Sequence, residues 1–178
     1  YIFTVGFKDF ISNWGLNPIE YILTGGPWFV TVTAITLLAL IVGGLRVAVL
    51  SAVLLMVLVW AGLWFETMVT LTQAIVATLL TMLIGIVLGI WVGRSARADK
   101  ILRPFLDAGQ TLPAFVYLIP MLGLFGPTRF TAIATGIIYA IPIVVKIIGE
   151  GIREVSSSMI EAAISSGSNA LQVITKAV

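Results

Sequence analysis

The chain has 178 residues, of which 60% are hydrophobic and 10% are charged, and its formal net charge is +2. Soluble domains average roughly 45–50% apolar and about 25% charged residues, so this composition, with a mean hydropathy of +1.13, is that of an integral membrane protein. The sequence contains no Cys and no His, which excludes disulfides, thiolate or imidazole metal sites, and Cys or His nucleophiles from it. The basic residues form no stripe of the kind that binds nucleic acid.

Residues 1–26 precede the first long apolar stretch and contain several aromatic side chains beside one charged pair, Lys8 and Asp9. Aromatic and apolar residues on one face are typical of helices that lie in the membrane interface. The stretch 7–14 therefore predicts an interfacial helix, and an unstructured tail is the alternative.

Five windows are candidates for transmembrane helices, because a helix needs about 20 apolar residues to cross a hydrocarbon core of roughly 30 Å. Lipid offers no partners to backbone N–H and C=O groups, and the windows lack the period-2 alternation of a barrel, so helical spans are expected. Lys146 can extend the last, shorter window by snorkelling its ammonium to the interface. The predicted fold class is an all-α polytopic bundle, with windows at 21–45, 47–65, 67–93, 108–128 and 130–145.

The basic residues indicate the orientation of these spans. Segment 94–103 holds four of the ten Lys and Arg residues and is predicted to be a cytosolic loop by the positive-inside rule. By alternation, Arg46 and residues 149–178 are also cytosolic. The 126–129 turn and residues 1–26 are then external.

Glycines recur every fourth position in the third window, at Gly85, Gly89 and Gly93. This pattern is typical of membrane helices whose backbones approach a neighbour closely. The neighbouring helix can belong to the same chain or to a second copy.

The fourth window contains two prolines seven residues apart, which places them on about the same helix face. Each proline removes one backbone hydrogen bond, and irregular backbone survives in a bilayer only where protein or a water-filled cavity satisfies it. This predicts a substrate path, for which an aromatic face could attract a quaternary ammonium by cation–π contact. The alternative is that the two aromatic residues pack between helices or sit at the interface. The candidate path residues are Gln110, Thr111, Pro113, Phe115, Tyr117 and Pro120.

A polar segment after the last window predicts a helix, a turn and a second helix. Ser158 and Glu161 fit a capping box, residues 165–168 supply the break, and Asn169 can cap the second helix. Small residues here allow a partner protein to approach closely. Docking to a cytosolic partner and capping within the chain are both compatible with the pattern. The candidate ATPase-coupling residues are Glu161, Ala162, Ala163 and Gly167.

The spacing E-A-A-x-x-x-G at 161–167 resembles the cytoplasmic coupling loop of importer-type ABC transporter permeases. The run Q-T-L-P-A-F-V-Y-L-I-P at 110–120, with Pro142 in the last window, resembles permeases of the glycine betaine, proline and choline uptake systems. The resemblance implies a type I importer permease fold with two more spans after the coupling loop. It divides the chain into an external segment at 1–26, two accessory transmembrane helices at 27–65, and an incomplete permease core at 66–178 with its coupling loop at 149–178.

This resemblance implies the transmembrane subunit of an ATP-driven importer for compatible solutes such as glycine betaine, in a bacterial or archaeal cell membrane. The implied partners are a second copy of the permease, two ABC ATPase subunits, and a soluble or fused substrate-binding protein. The sequence has no G-x-x-x-x-G-K-[S/T] phosphate loop, so the chain is expected to be neither an enzyme nor a cofactor carrier, with ATP and Mg used by the partner ATPase.

Two other functions remain as alternatives. One is an importer permease for another small solute, such as methionine, because the coupling motif is shared between substrate classes. The other is a secondary transporter or channel that needs no ATPase. A protein of that kind usually carries a buried ionisable residue near mid-span, and the first four windows have none there.

Overall fold

The computed structural model describes residues 2–154 and 165–167. No residue in these two ranges lies in a strand, and the all-α fold class is confirmed. The helices in chain order are α1 (Ile2–Ile11), continued by a π-helical turn (Ser12–Leu16) into α2 (Asn17–Thr24), then α3 (Trp28–Trp60), α4 (Trp64–Arg94), α5 (Ala96–Thr111), α6 (Ala114–Phe125) and α7 (Arg129–Glu154).

The number of candidate spans differs from the five expected. Helices α3, α4 and α7 are each long and apolar enough to cross a membrane, and the pair α5–α6, bent by 93°, is a fourth candidate. Windows 21–45 and 47–65 have become the single element α3, and the window 108–128 is divided between α5 and α6.

Helix α3 is interrupted at Gly44, whose φ of 75° and ψ of −176° lie outside the helical region. A Cβ added to Gly43 would come 2.7 Å from the Cβ of Val47, whereas residues four apart in a regular helix have Cβ atoms about 5–6 Å apart. The chain therefore turns sharply between two helical halves. Glycine permits this turn because it has no Cβ to oppose a positive φ.

The connection predicted at 94–103 is helical from Ala96 onward, where α5 begins. The hydroxyl of Ser95 accepts a hydrogen bond from the backbone N–H of Ala98 at 3.2 Å and caps the helix. A serine cap stabilises a helix start by typically about 1 kcal/mol. The dense cluster of charges is compatible with a helix, because Ala, Arg and Lys are good helix formers.

The predicted continuous span at 108–128 is also corrected, because α5 ends at Thr111. Leu112 is extended, with φ −77° and ψ 132°. A residue before proline is disfavoured in the helical region by clash with the proline ring. Pro113 therefore sets the position of the 93° bend between α5 and α6.

The described residues fall into two compact units. One consists of the chain up to Val76 together with Leu124–Ile133, and the other of Ala77–Gly123 together with the chain from Ala134 onward. Within the first unit, Leu16 is fully buried, and the guanidinium of Arg129 forms an ion pair with Glu20. The N-terminal stretch is thus helical, not an unstructured tail. The short 126–129 turn is present, with Gly126 at φ 68°.

Within the second unit, the glycine pattern of α4 packs against α7. A Cβ on Gly85 would lie 2.5 Å from a methyl carbon of Val144, and one on Gly89 would lie 2.7 Å from the Cβ of Ile148. The predicted close neighbour is therefore a helix of the same chain. Residue numbers rise together along the two helices, so α4 and α7 run parallel. Between them in sequence, this unit contains α5 and α6.

Candidate functional site: the bend between α5 and α6

Helix α5 lies antiparallel to the second half of α7. The carboxylate of Asp99 is 3.1 Å from the guanidinium of Arg153, and the side-chain amide of Gln110 donates to the carbonyl of Pro142 at 3.3 Å. Residue numbers rise on α5 as they fall on α7. The start of α5 is therefore beside the end of α7, and the bend is beside the kink position Pro142.

A polar cluster joins the two helices just before the bend. The ammonium of Lys146 donates to a carboxylate oxygen of Asp107 at 2.7 Å and to the side-chain carbonyl of Gln110 at 3.2 Å. The Lys146 side chain is 27% exposed. Its charge is thus compensated by oxygens of a neighbouring helix, in addition to any snorkelling to the interface.

Tyr117 compensates for the hydrogen bond that Pro113 cannot make. In a continuous helix the carbonyl of Gly109 would accept from the N–H four residues on, which is Pro113 and has no N–H. The Tyr117 hydroxyl instead donates to the Gly109 carbonyl at 2.8 Å. Its ring meets that of Tyr139 edge-on, with centroids 6.3 Å apart. The carbonyl left free at the bend therefore has a hydrogen-bond donor within the chain, as an apolar surrounding requires.

Gly109 also permits close packing at this point. A Cβ there would lie 2.8 Å from the Cγ of Pro142. The glycine thus serves two purposes: its carbonyl accepts from Tyr117, and its bare Cα allows α5 to approach α7.

The structure brings three of the six predicted path residues together at the bend: Gln110, Pro113 and Tyr117. Thr111 turns its hydroxyl onto the Ala108 carbonyl at 2.9 Å. Phe115 is 75% exposed, and Pro120 is exposed inside α6. The last three are therefore not part of the polar cluster.

Three residues of the cluster were missed in the sequence: Asp107, Tyr139 and Lys146. Asp107 directly precedes the fourth window, and Lys146 directly follows the fifth. An acidic and a basic residue at the facing ends of adjacent antiparallel segments are a signal for an ion pair. Asp107 lies between the predicted 94–103 segment and the fourth window, so neither prediction included it.

Among the predicted coupling residues, only Gly167 lies within the described residues. Glu161, Ala162 and Ala163 lie outside them, as do the capping residues Ser158 and Asn169. Gly167 is exposed in a turn and has φ 80°. A positive φ of this size is costly for residues with a Cβ, which gives the glycine at this position a conformational reason.

The part of the chain that contains this site matches a known family. The model of the binding-protein-dependent transport system inner membrane component matches residues 81–178. The chain belongs to this family. The matched part of this permease-family chain begins within α4 and includes α5, α6, α7 and the polar segment that follows them.

Relatives of this family member extend the match toward its N-terminus. The glycine betaine/proline betaine transport system permease protein ProW of Escherichia coli (strain K12) is 39% identical over 161 residues, which cover 90% of this chain and 46% of that protein. The glycine betaine/carnitine transport permease protein GbuB of Listeria monocytogenes is 38% identical over 122 residues, covering 68% of this chain and 43% of that protein. The chain thus spans less than half the length of these two relatives.

The methionine alternative has a more distant counterpart. A probable D-methionine transport system permease protein MetI of Pasteurella multocida (strain Pm70) is 27% identical over 132 residues, covering 66% of this chain and 61% of that protein. The family is therefore shared between substrate classes, and the betaine-type relatives are the more similar to this chain.

Proposed function

We propose that this chain forms part of the transmembrane subunit of an ATP-driven importer of compatible solutes, with glycine betaine or a related quaternary amine as the substrate. The observation that carries this proposal is the 39% identity to a glycine betaine/proline betaine permease across 90% of the chain. The Q-T-L-P-A-F-V-Y-L-I-P run at 110–120, which resembles the betaine-type permeases, is the segment that contains the α5–α6 bend. The proposed substrate class and the candidate site therefore depend on the same residues.

The proposed machinery is a pair of permease copies with two ABC ATPase subunits and a substrate-binding protein. ATP and Mg are used by the ATPase subunits, and this chain supplies the path and the coupling surface. Glu161, Ala162, Ala163 and Gly167 contact the ATPase in this proposal. Gln110, Thr111, Pro113, Phe115, Tyr117 and Pro120 remain the candidates that line the path.

Uptake by reconstituted liposomes tests this function. The full-length permease, its ATPase and its binding protein are expected to accumulate radiolabelled glycine betaine only when ATP is on the ATPase side. Methionine is the comparison solute. Preferential uptake of methionine would replace the substrate assignment, and betaine uptake without the ATPase would favour a secondary transporter.

Contact with the ATPase is expected at residues 161–167. Cysteines at Ala162 or Ala163 should cross-link to the ATPase, and the 178 residues contain no Cys of their own. Glu161→Lys and Gly167→Val should separate ATP hydrolysis from uptake, the latter because a β-branched residue at φ 80° costs at least about 1–2 kcal/mol. Gly151→Val, at an exposed helical position with open space around it, is the matched control. If neither cysteine cross-links to the ATPase, the coupling role is contradicted.

The N-terminal segment is proposed to be external. Arg129, at the start of α7, bonds Glu20, and Thr31 at the start of α3 bonds the Leu23 carbonyl at 3.2 Å. These contacts put the start of α3 on the side where α7 begins. Because α4 runs parallel to α7, the end of α3 is on that side too. Helix α3 must then turn back at Gly44, with Arg46 near its cytosolic tip.

Labelling of single-cysteine variants from each side of the membrane tests this orientation. Gly26→Cys and Pro127→Cys should react with an impermeant thiol reagent from outside, and Ala96→Cys only after the membrane is opened. Ala96 is preferable to Ser95, whose hydroxyl caps α5. External labelling at Ala96 would reverse the whole topology, and protection of Gly26 would reverse the N-terminal part alone.

A further inference from the structure

The charges of α5 and α7 are complementary in a way that the path and the coupling motif do not require. The two acidic residues of α5, Asp99 and Asp107, pair with Arg153 and Lys146 of α7 at 3.1 Å and 2.7 Å. The acidic residues are eight positions apart and the basic residues seven. Both spacings are about two helical turns, so the pairs lie on matching faces roughly 11 Å apart along the helices.

The last turn of α5 is also held to α7, at Gly109 and Gln110. Gln110 donates to the Pro142 carbonyl, and Gly109 lies against the Pro142 ring. Helix α5 is thus attached to α7 near its start, near its end and at its last turn. Attachment at three levels along α5 restricts both sliding and rotation of α5 on α7.

The two ends of this helix pair lead to the two places that an importer has to connect. Arg153 is the next-to-last residue of α7, eight positions before Glu161 of the coupling motif. It also donates to the carbonyl of Val92 on α4 at 3.4 Å. At the other end, the first residue of the chain after α5 is Leu112, at the bend.

We propose that α5 and α7 move as one body, held by the Asp99–Arg153 and Asp107–Lys146 ion pairs, and that this body carries a displacement of the coupling segment to the Leu112–Pro113 bend. The four charged residues are positioning residues: they act through the bend and do not contact the substrate. This inference rests on the proposed importer function, since it needs an ATPase to displace the coupling segment.

Charge exchange tests the pairs in the reconstituted transporter. Asp107→Lys and Lys146→Asp alone should each lower the number of substrate molecules taken up per ATP by about fivefold or more, the low end of typical coupling between sites. The double exchange should recover most of that ratio, because it restores the pair with its direction reversed. Arg97→Asp is the matched control, as Arg97 is exposed on α5 and none of the ion pairs of the described residues involves it.

A reversible bridge tests whether the helices stay together during transport. Asp99→Cys with Arg153→Cys should lose coupling when reduced and regain it when a short bis-methanethiosulfonate joins the two thiols. Loss of uptake on bridging, reversed by reductant, would overturn the proposal, because it would mean that the helices must separate. Unchanged uptake per ATP in every single charge variant would also overturn it.

These outcomes are distinct from failure of the proposed function. The unaltered transporter reports whether glycine betaine is a substrate at all. If it carries another solute, the same ratio is measured with that solute. Formation of the bridge itself is read from gel mobility and requires no transport.

Discussion

Replacement of Gly89 by alanine is expected to destabilise the packing of α4 on α7. The new Cβ would lie 2.7 Å from the Cβ of Ile148 and 3.3 Å from the Val145 carbonyl oxygen. Both atoms are fixed by the α7 backbone, so no change of rotamer relieves the contact. Overpacking of this kind typically costs about 1–3 kcal/mol. The free energy of unfolding in mixed detergent measures it.

A comparison between two glycines of the same stripe makes this test specific. At Gly85 the nearest atom is a Val144 methyl carbon at 2.5 Å, with the Val144 Cβ at 3.0 Å. Val144→Ala removes that methyl and should partly rescue Gly85→Ala, whereas Ile148→Ala keeps its Cβ and should not rescue Gly89→Ala. Gly123→Ala, with nothing within 4 Å, is the control. Equal stability of the Gly89 and Gly123 variants would contradict the close approach.

The sequence was sufficient to predict that α4 has a close helical neighbour, but not which helix it is. Small residues at every fourth position are a local pattern, and the pattern is the same for a neighbour in the chain or in a second copy. The choice of α7 depends on long-range packing. Val144 and Ile148 form a β-branched ridge opposite the glycines, and such residues are common on any apolar helix.

At the α5–α6 bend, the missing proline N–H predicted where the helix could be disturbed, but not that it would break at one proline and continue through the other. Pro113 and Pro120 both lack an N–H, and only Pro113 breaks the helix, whereas Pro120 lies within α6. The break at Pro113 is possible because another donor replaces the lost backbone hydrogen bond. The Tyr117 hydroxyl donates to the Gly109 carbonyl, which Pro113 leaves without its usual N–H donor. This contact requires the chain to fold back over eight residues.

The number of candidate spans depends on how α3 is counted: it is one long apolar helix by length, but it consists of two apolar halves on either side of Gly44. Length and hydropathy identify apolar segments but contain no information on where a helix turns. At Gly44 a positive φ interrupts the apolar element two residues before Arg46, the charge that separates windows 21–45 and 47–65 in the sequence. At 94–103 the charges predicted a cytosolic connection but not its structure. The Ser95 cap and the ion pair with α7 favour a helix there.

Replacement of Pro113 by alanine is expected to straighten the α5–α6 pair. Alanine restores an N–H that can donate to the Gly109 carbonyl, and it removes the ring that keeps Leu112 extended. Spin labels at Ile101 and Leu122, both exposed, report the change. With the 93° bend their backbone sites are about 22 Å apart, and in a continuous helix about 32 Å. Uptake should fall together with the bend, and an unchanged distance would show that Pro113 does not hold it.

Tyr117→Phe is expected to destabilise the bend because it removes the donor to the Gly109 carbonyl, whereas Pro113→Ala adds one. An unsatisfied buried acceptor costs about 1–3 kcal/mol, and the half-buried position of Tyr117 favours the lower end. Tyr139→Phe is the matched control: its ring touches Tyr117, and no hydrogen bond of its hydroxyl occurs within the described residues. In the Pro113→Ala background the new N–H replaces the Tyr117 hydroxyl, so Tyr117→Phe should cost little there. If Tyr117→Phe lowers the stability equally in the native and the Pro113→Ala backgrounds, the Tyr117 hydroxyl does not replace the N–H that Pro113 lacks.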